Sequence, residues 1–208
     1  KGDLFVEAVA QVHSDLTSID LTECRRVTDE GLARLIAGCP KLHPDACKSE
    51  AKGDLFVEAV AEHHPDLSEI DLRNCTAATD TTLDMLLQRC FSLHPDKILS
   101  LNKGHEFLEA VVEHRPDITE INLYSCAVED KSLAMLIAGC TKLHPDKITS
   151  AKKGDQFLDA VVAHRKDLTH IDVSGCADIS DAGLARLVEG CPNLPLSSIV
   201  SQQRGDAF

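Results

Sequence analysis

The chain has 208 residues, with 21 Lys and Arg against 34 Asp and Glu, a formal charge of −13, nine Cys, six Phe, one Tyr and no Trp. That length supports a core, which with 3% aromatic residues must be built from Leu, Ile, Val and Ala. The acidic balance argues against nucleic-acid and anionic-membrane surfaces, which need clustered Lys and Arg; a run of about 18 apolar residues and a leader-like start are both absent, so neither a membrane span nor a signal peptide is predicted.

The first segment, Lys1-Gly2-Asp3-Leu4-Phe5-Val6-Glu7-Ala8-Val9-Ala10, places Phe5, Ala8, Val9 and Val12 at i, i+3, i+4 and i+7 behind Gly2-Asp3, which predicts a helix. Leu16-Thr17-Ser18-Ile19-Asp20-Leu21-Thr22-Glu23-Cys24 follows and reads as a strand. Next comes a capping pair, Thr28-Asp29, ahead of Leu32, Leu35, Ile36 and Cys39 at helical spacing, closed by Gly38 and Pro40. Leu42-His43-Pro44-Asp45-Ala46-Cys47 begins a second strand-like segment, 26 residues after the first. The opening decapeptide then recurs unchanged at Lys52–Ala61 and in altered form from Lys103 and from Lys153, with periods of 51, 51 and 50 residues. Each period thus holds two half-units of strand, turn and helix. None can bury its apolar face alone, and stacking eight of them would give a parallel sheet backed by helices, with an edge on the order of 40 Å long.

In the first half-units Leu16, Ile19, Leu21 and Cys24 fit L-x-x-L-x-L-x-x-C, as do Leu67, Ile70, Leu72 and Cys75; Ile118, Ile121, Leu123 and Cys126; and Leu168, Ile171, Val173 and Cys176. This pattern resembles the leucine-rich repeat family, and residues 27–42 are similar to its cysteine-containing subclass, which is associated with F-box proteins and is ribonuclease-inhibitor-like. The resemblance implies an α/β solenoid over residues 1–208, a right-handed horseshoe with its parallel sheet on the concave face and its helices on the convex face. The second half-units depart from the pattern. Their fourth position reads Asp45, Asp96, Asp146 or Ser197 and their ninth Glu50, Leu101, Ala151 or Gln202, as if the strands were degenerate.

Eight cysteines form two columns, Cys24, Cys75, Cys126 and Cys176 after the strands and Cys39, Cys90, Cys140 and Cys191 at the helix ends, and Cys47 stands where Ile98, Ile148 and Ile199 stand elsewhere. Members of one column lie two strands apart, roughly 10 Å, beyond disulfide reach. A disulfide framework or a zinc site is the alternative, although the chain contains no C-x-x-C pair. The resemblance implies a structural role for Cys24, Cys75, Cys126 and Cys176, and nine thiols without partners suit a reducing, cytoplasmic compartment.

His43-Pro44-Asp45, His94-Pro95-Asp96 and His144-Pro145-Asp146 pair an imidazole with a carboxylate three times. They read as turns, with Pro setting the bend and Asp accepting backbone N–H groups; a divalent-metal column is the alternative. His63, His114 and His164 share their place with Val12 and read as an apolar-face position, whereas His13, His64, Arg115 and Arg165 read as an outer face at the helix terminus. Arg204-Gly205-Asp206 aligns with Lys1-Gly2-Asp3 and is the start signal of another repeat.

The resemblance implies recognition through the variable residues between the strand leucines. Reading one column across successive strands gives Asp20, Ala46, Asp71, Lys97, Asn122, Lys147, Asp172 and Ser198, an alternation of charge at inter-strand spacing. Candidate partner-binding residues are Arg73, Tyr124 and Leu99 as anchors, with Glu69, Asp71, Lys97, Glu120, Asn122, Lys147, His170 and Asp172 around them. The first and last residues fall at the same phase of the repeat, so the chain is expected to be a segment of a longer array, or to self-associate end to end.

No G-x-S-x-G, phosphate loop or metal-spaced Cys/His set occurs, so the leading expectation is a non-catalytic scaffold that binds another protein without a cofactor. The subclass resemblance raises a second reading, the substrate-recognition domain of a ubiquitin-ligase adaptor; such proteins carry an F-box segment, and nothing in this chain matches one. A structural subunit of a larger assembly is a third, and a hydrolase built on the His-Pro-Asp column a fourth.

Overall fold

The computed structural model describes residues 1–73, 75 and 77–201. They divide into two compact units, the first Lys1–Asn102 and the second beginning at Lys103. In the first unit the order is α1 (Asp3–Val12), β1 (Ile19–Asp20), α2 (Asp29–Gly38), β2 (Cys47–Lys48), α3 (Asp54–His63), β3 (Ile70–Asp71), α4 (Asp80–Arg89) and β4 (Ile98–Leu99). The second repeats it with α5 (His105–His114), β5 (Ile121–Asn122), α6 (Asp130–Gly139), β6 (Ile148–Thr149), α7 (Asp155–His164), β7 (Ile171–Asp172), α8 (Asp181–Gly190) and β8 (Ile199–Val200). Each unit is therefore an α/β solenoid of strand–helix half-units, with successive helices packed on one another.

The core follows the apolar periodicity. Leu32, Leu35 and Ile36 of α2 and Phe56, Val57 and Val60 of α3 are fully buried, as are Phe107 and Phe157 in the second unit. Burial of one such side chain stabilises by roughly 2–3 kcal/mol. Phe5 occupies the same slot in the first copy and is 40% exposed.

Two kinds of helix start alternate. At α2 and α8 the side chains of Thr28 and Ser180 accept from the Gly31 and Gly183 N–H groups at 3.2 and 3.1 Å. At α3 and α7 the cap position is Gly53 or Gly154, and the preceding helix supplies the acceptor. Asp29 takes the N–H groups of Gly53, Leu55 and Phe56 at 2.7, 2.9 and 3.0 Å. Asp130 takes those of Gly154, Gln156 and Phe157 at 2.8, 2.8 and 3.0 Å. A Cβ on Gly53 would sit 2.7 Å from that carboxylate and one on Gly154 2.6 Å from its counterpart, which explains the glycine of the Lys-Gly-Asp signature. The Asp of that signature is passed forward in turn: Asp3 accepts from Thr28 N–H at 2.8 Å and Asp155 from Ser180 N–H at 2.8 Å. In the third copy His105 replaces it and meets the Ser132 hydroxyl at 2.9 Å.

The strands correct the sequence reading in two ways. Among the described residues they form four two-stranded parallel pairs, β1–β2, β3–β4, β5–β6 and β7–β8, instead of one continuous sheet. A 3-10 turn, Pro44–Ala46 or Pro145–Lys147, precedes the second strand, and the next ladder rung is made by a side chain: Asp45 accepts from Asp71 N–H at 2.8 Å and Asp146 from Asp172 N–H at 2.7 Å. The register is also displaced by two residues. Asp20 pairs with Lys48, Asp71 with Leu99, Asn122 with Thr149 and Asp172 with Val200. Ala46, Lys97, Lys147 and Ser198 lie in the 3-10 turns, so the alternating charge column does not exist; only the Asp20–Lys48 rung joins opposite charges.

With that phase the second half-unit becomes regular. Pro44, Cys47, Ser49 and Lys52 hold the places of Leu16, Ile19, Leu21 and Cys24, and Pro145, Ile148, Ser150 and Lys153 repeat the set. The ninth position of these half-units is thus a lysine, and Lys52, Lys103 and Lys153 are 6%, 3% and 4% exposed. Each ammonium lies over the ring of the phenylalanine four residues on, 4.9 Å from Phe56, 5.4 Å from Phe107 and 5.4 Å from Phe157.

Candidate functional site

The loops that leave the strands enclose one groove in each unit, at equivalent places in the repeat. In the first unit a groove of about 910 Å³ is lined by Thr22, Asp45, Lys48, Lys52, Asp71 and Arg73 among others. In the second, one of about 400 Å³ is lined by Tyr124, Asp146, Thr149, Lys153, Asp172 and Ser174 among others. Lys52 and Lys153 form part of the floor, donating to the Pro44 carbonyl at 3.0 Å and to the Asp172 carbonyl at 3.4 Å. Burial lowers the Lys153 pKa from its ordinary value.

A turn motif shapes both walls. Asp20, Asp71, Asn122 and Asp172 each accept the N–H of the residue two places on, at 3.1, 3.1, 3.0 and 2.8 Å. Ser125 and Gly175 follow with positive φ, 61° and 75°. In the first unit Arg73 returns onto this turn, its Nε 3.0 Å from Asp71 Oδ1 and its Nη2 2.6 Å from Asp71 Oδ2. That fork is the main reason the Asp71 carboxyl lies below its usual range, whereas at Asp172 the leading cause is the Ser174 backbone N–H.

The structure brings several sequence candidates together and separates others. Arg73 and Asp71 share the first groove, and Tyr124 and Asp172 share the second. Leu99 and Asn122 stand outward on β4 and β5, while Glu69, Glu120 and His170 are exposed just before their strands. Lys97 and Lys147 are exposed on 3-10 turns. His170 Nδ1 lies 2.6 Å from Asp146 Oδ2. The His-Pro-Asp segments are turn devices: His43, His94 and His144 accept the N–H of Asp45, Asp96 and Asp146 at 3.2 Å each. Among the described residues no group of three or more His, Cys, Asp or Glu side chains could hold a metal ion.

Cys75, Cys126 and Cys176 are buried and Cys24 is half-buried. In the other column Cys39 donates to the His13 carbonyl at 3.4 Å and Cys90 to that of His64 at 3.5 Å, closing the helix ends. Burial raises the thiols of Cys47, Cys75 and Cys140 to about 11. The two histidine readings are overturned at most copies: Val12, His63 and His164 face solvent although His114 is half-buried, whereas His64, Arg115 and Arg165 are half-buried although His13 is exposed. Arg165, the cap residue after α7, reaches back to the end of the preceding helix, its Nη2 donating to the Cys140 carbonyl at 2.8 Å. Sequence reasoning missed the buried lysines, although the constant interval from Lys to Phe was a visible signal. Arg204-Gly205-Asp206, Gln202 and Asn74 lie outside the described residues.

Two segments, residues 12–35 and 165–188, match the model of the leucine rich repeat family. Those two segments, each spanning a strand and part of the following helix, have the leucine-rich repeat pattern. Among solved structures it is similar to a chain in the crystal structure of the Rad7 and Elc1 complex in yeast, at 13% identity and a TM-score of 0.41, over 96% of this chain and 66% of that one. It thus spans just under two thirds of that relative's length. Among the described residues no helix is long and apolar enough to cross a membrane.

Proposed function

We propose that this chain is a non-catalytic scaffold that holds another protein against its strand side. The observation that carries this reading is the placement of large apolar side chains where packing does not use them. Tyr124 is 69% exposed on the wall of the second groove beside Asp146, Lys153, Asp172 and Ser174, and Leu99 is 42% exposed on β4, paired with Asp71 of the first groove. An aromatic anchor flanked by polar groups is the composition that concentrates binding energy in protein interfaces. The nine thiols, eight of them buried, fit a protein that works in a reducing compartment.

Photo-crosslinking tests the reading. A photoreactive phenylalanine at Tyr124 or Leu99 is expected to capture a discrete partner from the native source, and the same residue at Glu62 on α3 is not. Capture from Glu62 alone would overturn it.

A further inference from the structure

The two grooves are one design filled in two ways. At the turn after β3, Asp71 is engaged by a guanidinium from two residues on, with both carboxylate oxygens receiving Arg73. At the turn after β7 the same carboxylate belongs to Asp172, but the residue two places on is Ser174, which gives only its backbone N–H, at 2.8 Å to Oδ1. Among the described residues no cationic side chain closes on Asp172 Oδ2. Lys153 is directed to the Asp172 main-chain carbonyl, and the neighbouring carboxylate of Asp146 is consumed by Asp172 N–H and His170. Ser174, which stands where the first unit has Arg73, carries no side chain long enough to return onto the turn, and a Cβ on the following Gly175 would meet nothing within 4 Å. The far wall carries Tyr124, the only tyrosine of the chain, where the first unit has Thr22.

We infer that the groove of the second unit is a receptor for an arginine side chain of the partner. Asp172 accepts the guanidinium fork as Asp71 accepts Arg73, and the Tyr124 ring provides the face on which the planar cation stacks. The inference rests on the scaffold reading and gives the partner a chemistry, a basic segment with an exposed arginine. The charge of −13 agrees, since a strongly acidic chain draws basic segments toward it. In the first groove the equivalent carboxylate, Asp71, already holds Arg73.

The test titrates three blocked pentapeptides, identical except for a central Arg, Lys or citrulline, into the full chain and follows backbone amide and tyrosine ring signals. The Arg peptide is expected to shift Tyr124, Ser174 and Gly175 with a dissociation constant on the order of 1 mM. The Lys peptide, a point charge without a fork, binds several-fold more weakly, and citrulline, isosteric but neutral, does not bind. Asp172→Asn removes the charge and keeps the turn, because Asn122 makes the same turn at its own site; it should abolish the Arg response. Ser174→Arg supplies the guanidinium in cis and should do the same, whereas Ser174→Ala leaves binding intact. Tyr124→Leu weakens binding about threefold.

Equal response to citrulline, equal shifts around Thr22 in the first groove, or full binding by Asp172→Asn would overturn the assignment. The two proposals separate cleanly. A partner that crosslinks at Tyr124 while the Arg peptide is silent keeps the scaffold and removes the arginine site. An Asp172-dependent Arg response without any strand-side partner keeps the site and removes the scaffold.

Discussion

The two half-units of each period present the same backbone positions with opposite chemistry. After a first strand, the ninth position is a small thiol, buried at Cys75, Cys126 and Cys176, and the following helix ends on another cysteine. After a second strand the ninth position is an ammonium, the following helix starts with a phenylalanine beneath it, and the helix ends on His or Arg. An apolar pattern with small residues can close the turn unaided. A lysine in that slot is tolerated because two partners act together: a ring face and a main-chain carbonyl. What a repeat slot requires is satisfied neighbours, and residue class follows from which neighbours the adjacent half-unit supplies.

The sharpest way to break this comparison is at the ring. Phe56→Ala removes a fully buried aromatic and should cost about 3–5 kcal/mol in chemical denaturation, against clearly less for Phe5→Ala, whose ring is 40% exposed. A double-mutant cycle of Phe56→Leu with Lys52→Met should show coupling of about 1 kcal/mol; additive effects would mean that ammonium and ring only happen to be adjacent. Next in size is an exchange between slots. Cys75→Lys puts an ammonium where Thr79, not phenylalanine, follows four residues on, and a loss of about 3 kcal/mol is expected. Tolerance of this variant would show the slots to be interchangeable.

The smallest effect is at the helix ends. His64 is half-buried with its Nε2 unpartnered, and burial lowers its pKa below 6.5. As pH falls through 6.5 the unfolded chain takes up a proton that the folded chain resists, so stability declines toward acid. His64→Arg, the residue type of the third and fourth copies, should flatten this decline when urea midpoints at pH 7.5 and 5.5 are compared. An unchanged slope would remove His64 from the acid response.

Much of this was legible from residues. Thr28-Asp29 and Gly38 bracket α2, and the recurrent Lys-Gly-Asp marks each second helix. The phase of the second strands was not, because Leu42, Leu93, Leu143 and Leu194 mimic the first leucine of the strand pattern. They are buried leucines of the turn after the helix, and Pro44 and Ile98 carry the true phase. Lysine in a core position is likewise misread, since its type belongs to surfaces and only the ring below reverses that. Of the candidate site, Tyr124 and Arg73 follow from pattern. Their different relations to Asp172 and Asp71 do not, because a fork onto one's own turn is a matter of three-dimensional reach.

The aspartates at the helix starts carry a last consequence. Each of Asp29 and Asp130 satisfies three N–H groups that belong to the next helix, and Gly53 and Gly154 keep no acceptor of their own. The free energy that fixes a helix is therefore stored at its boundary with the preceding one. Within each unit, loss of one helix uncaps its successor, so unfolding propagates along the stack as a zipper and the units melt with more cooperativity than their short-range contacts alone would give.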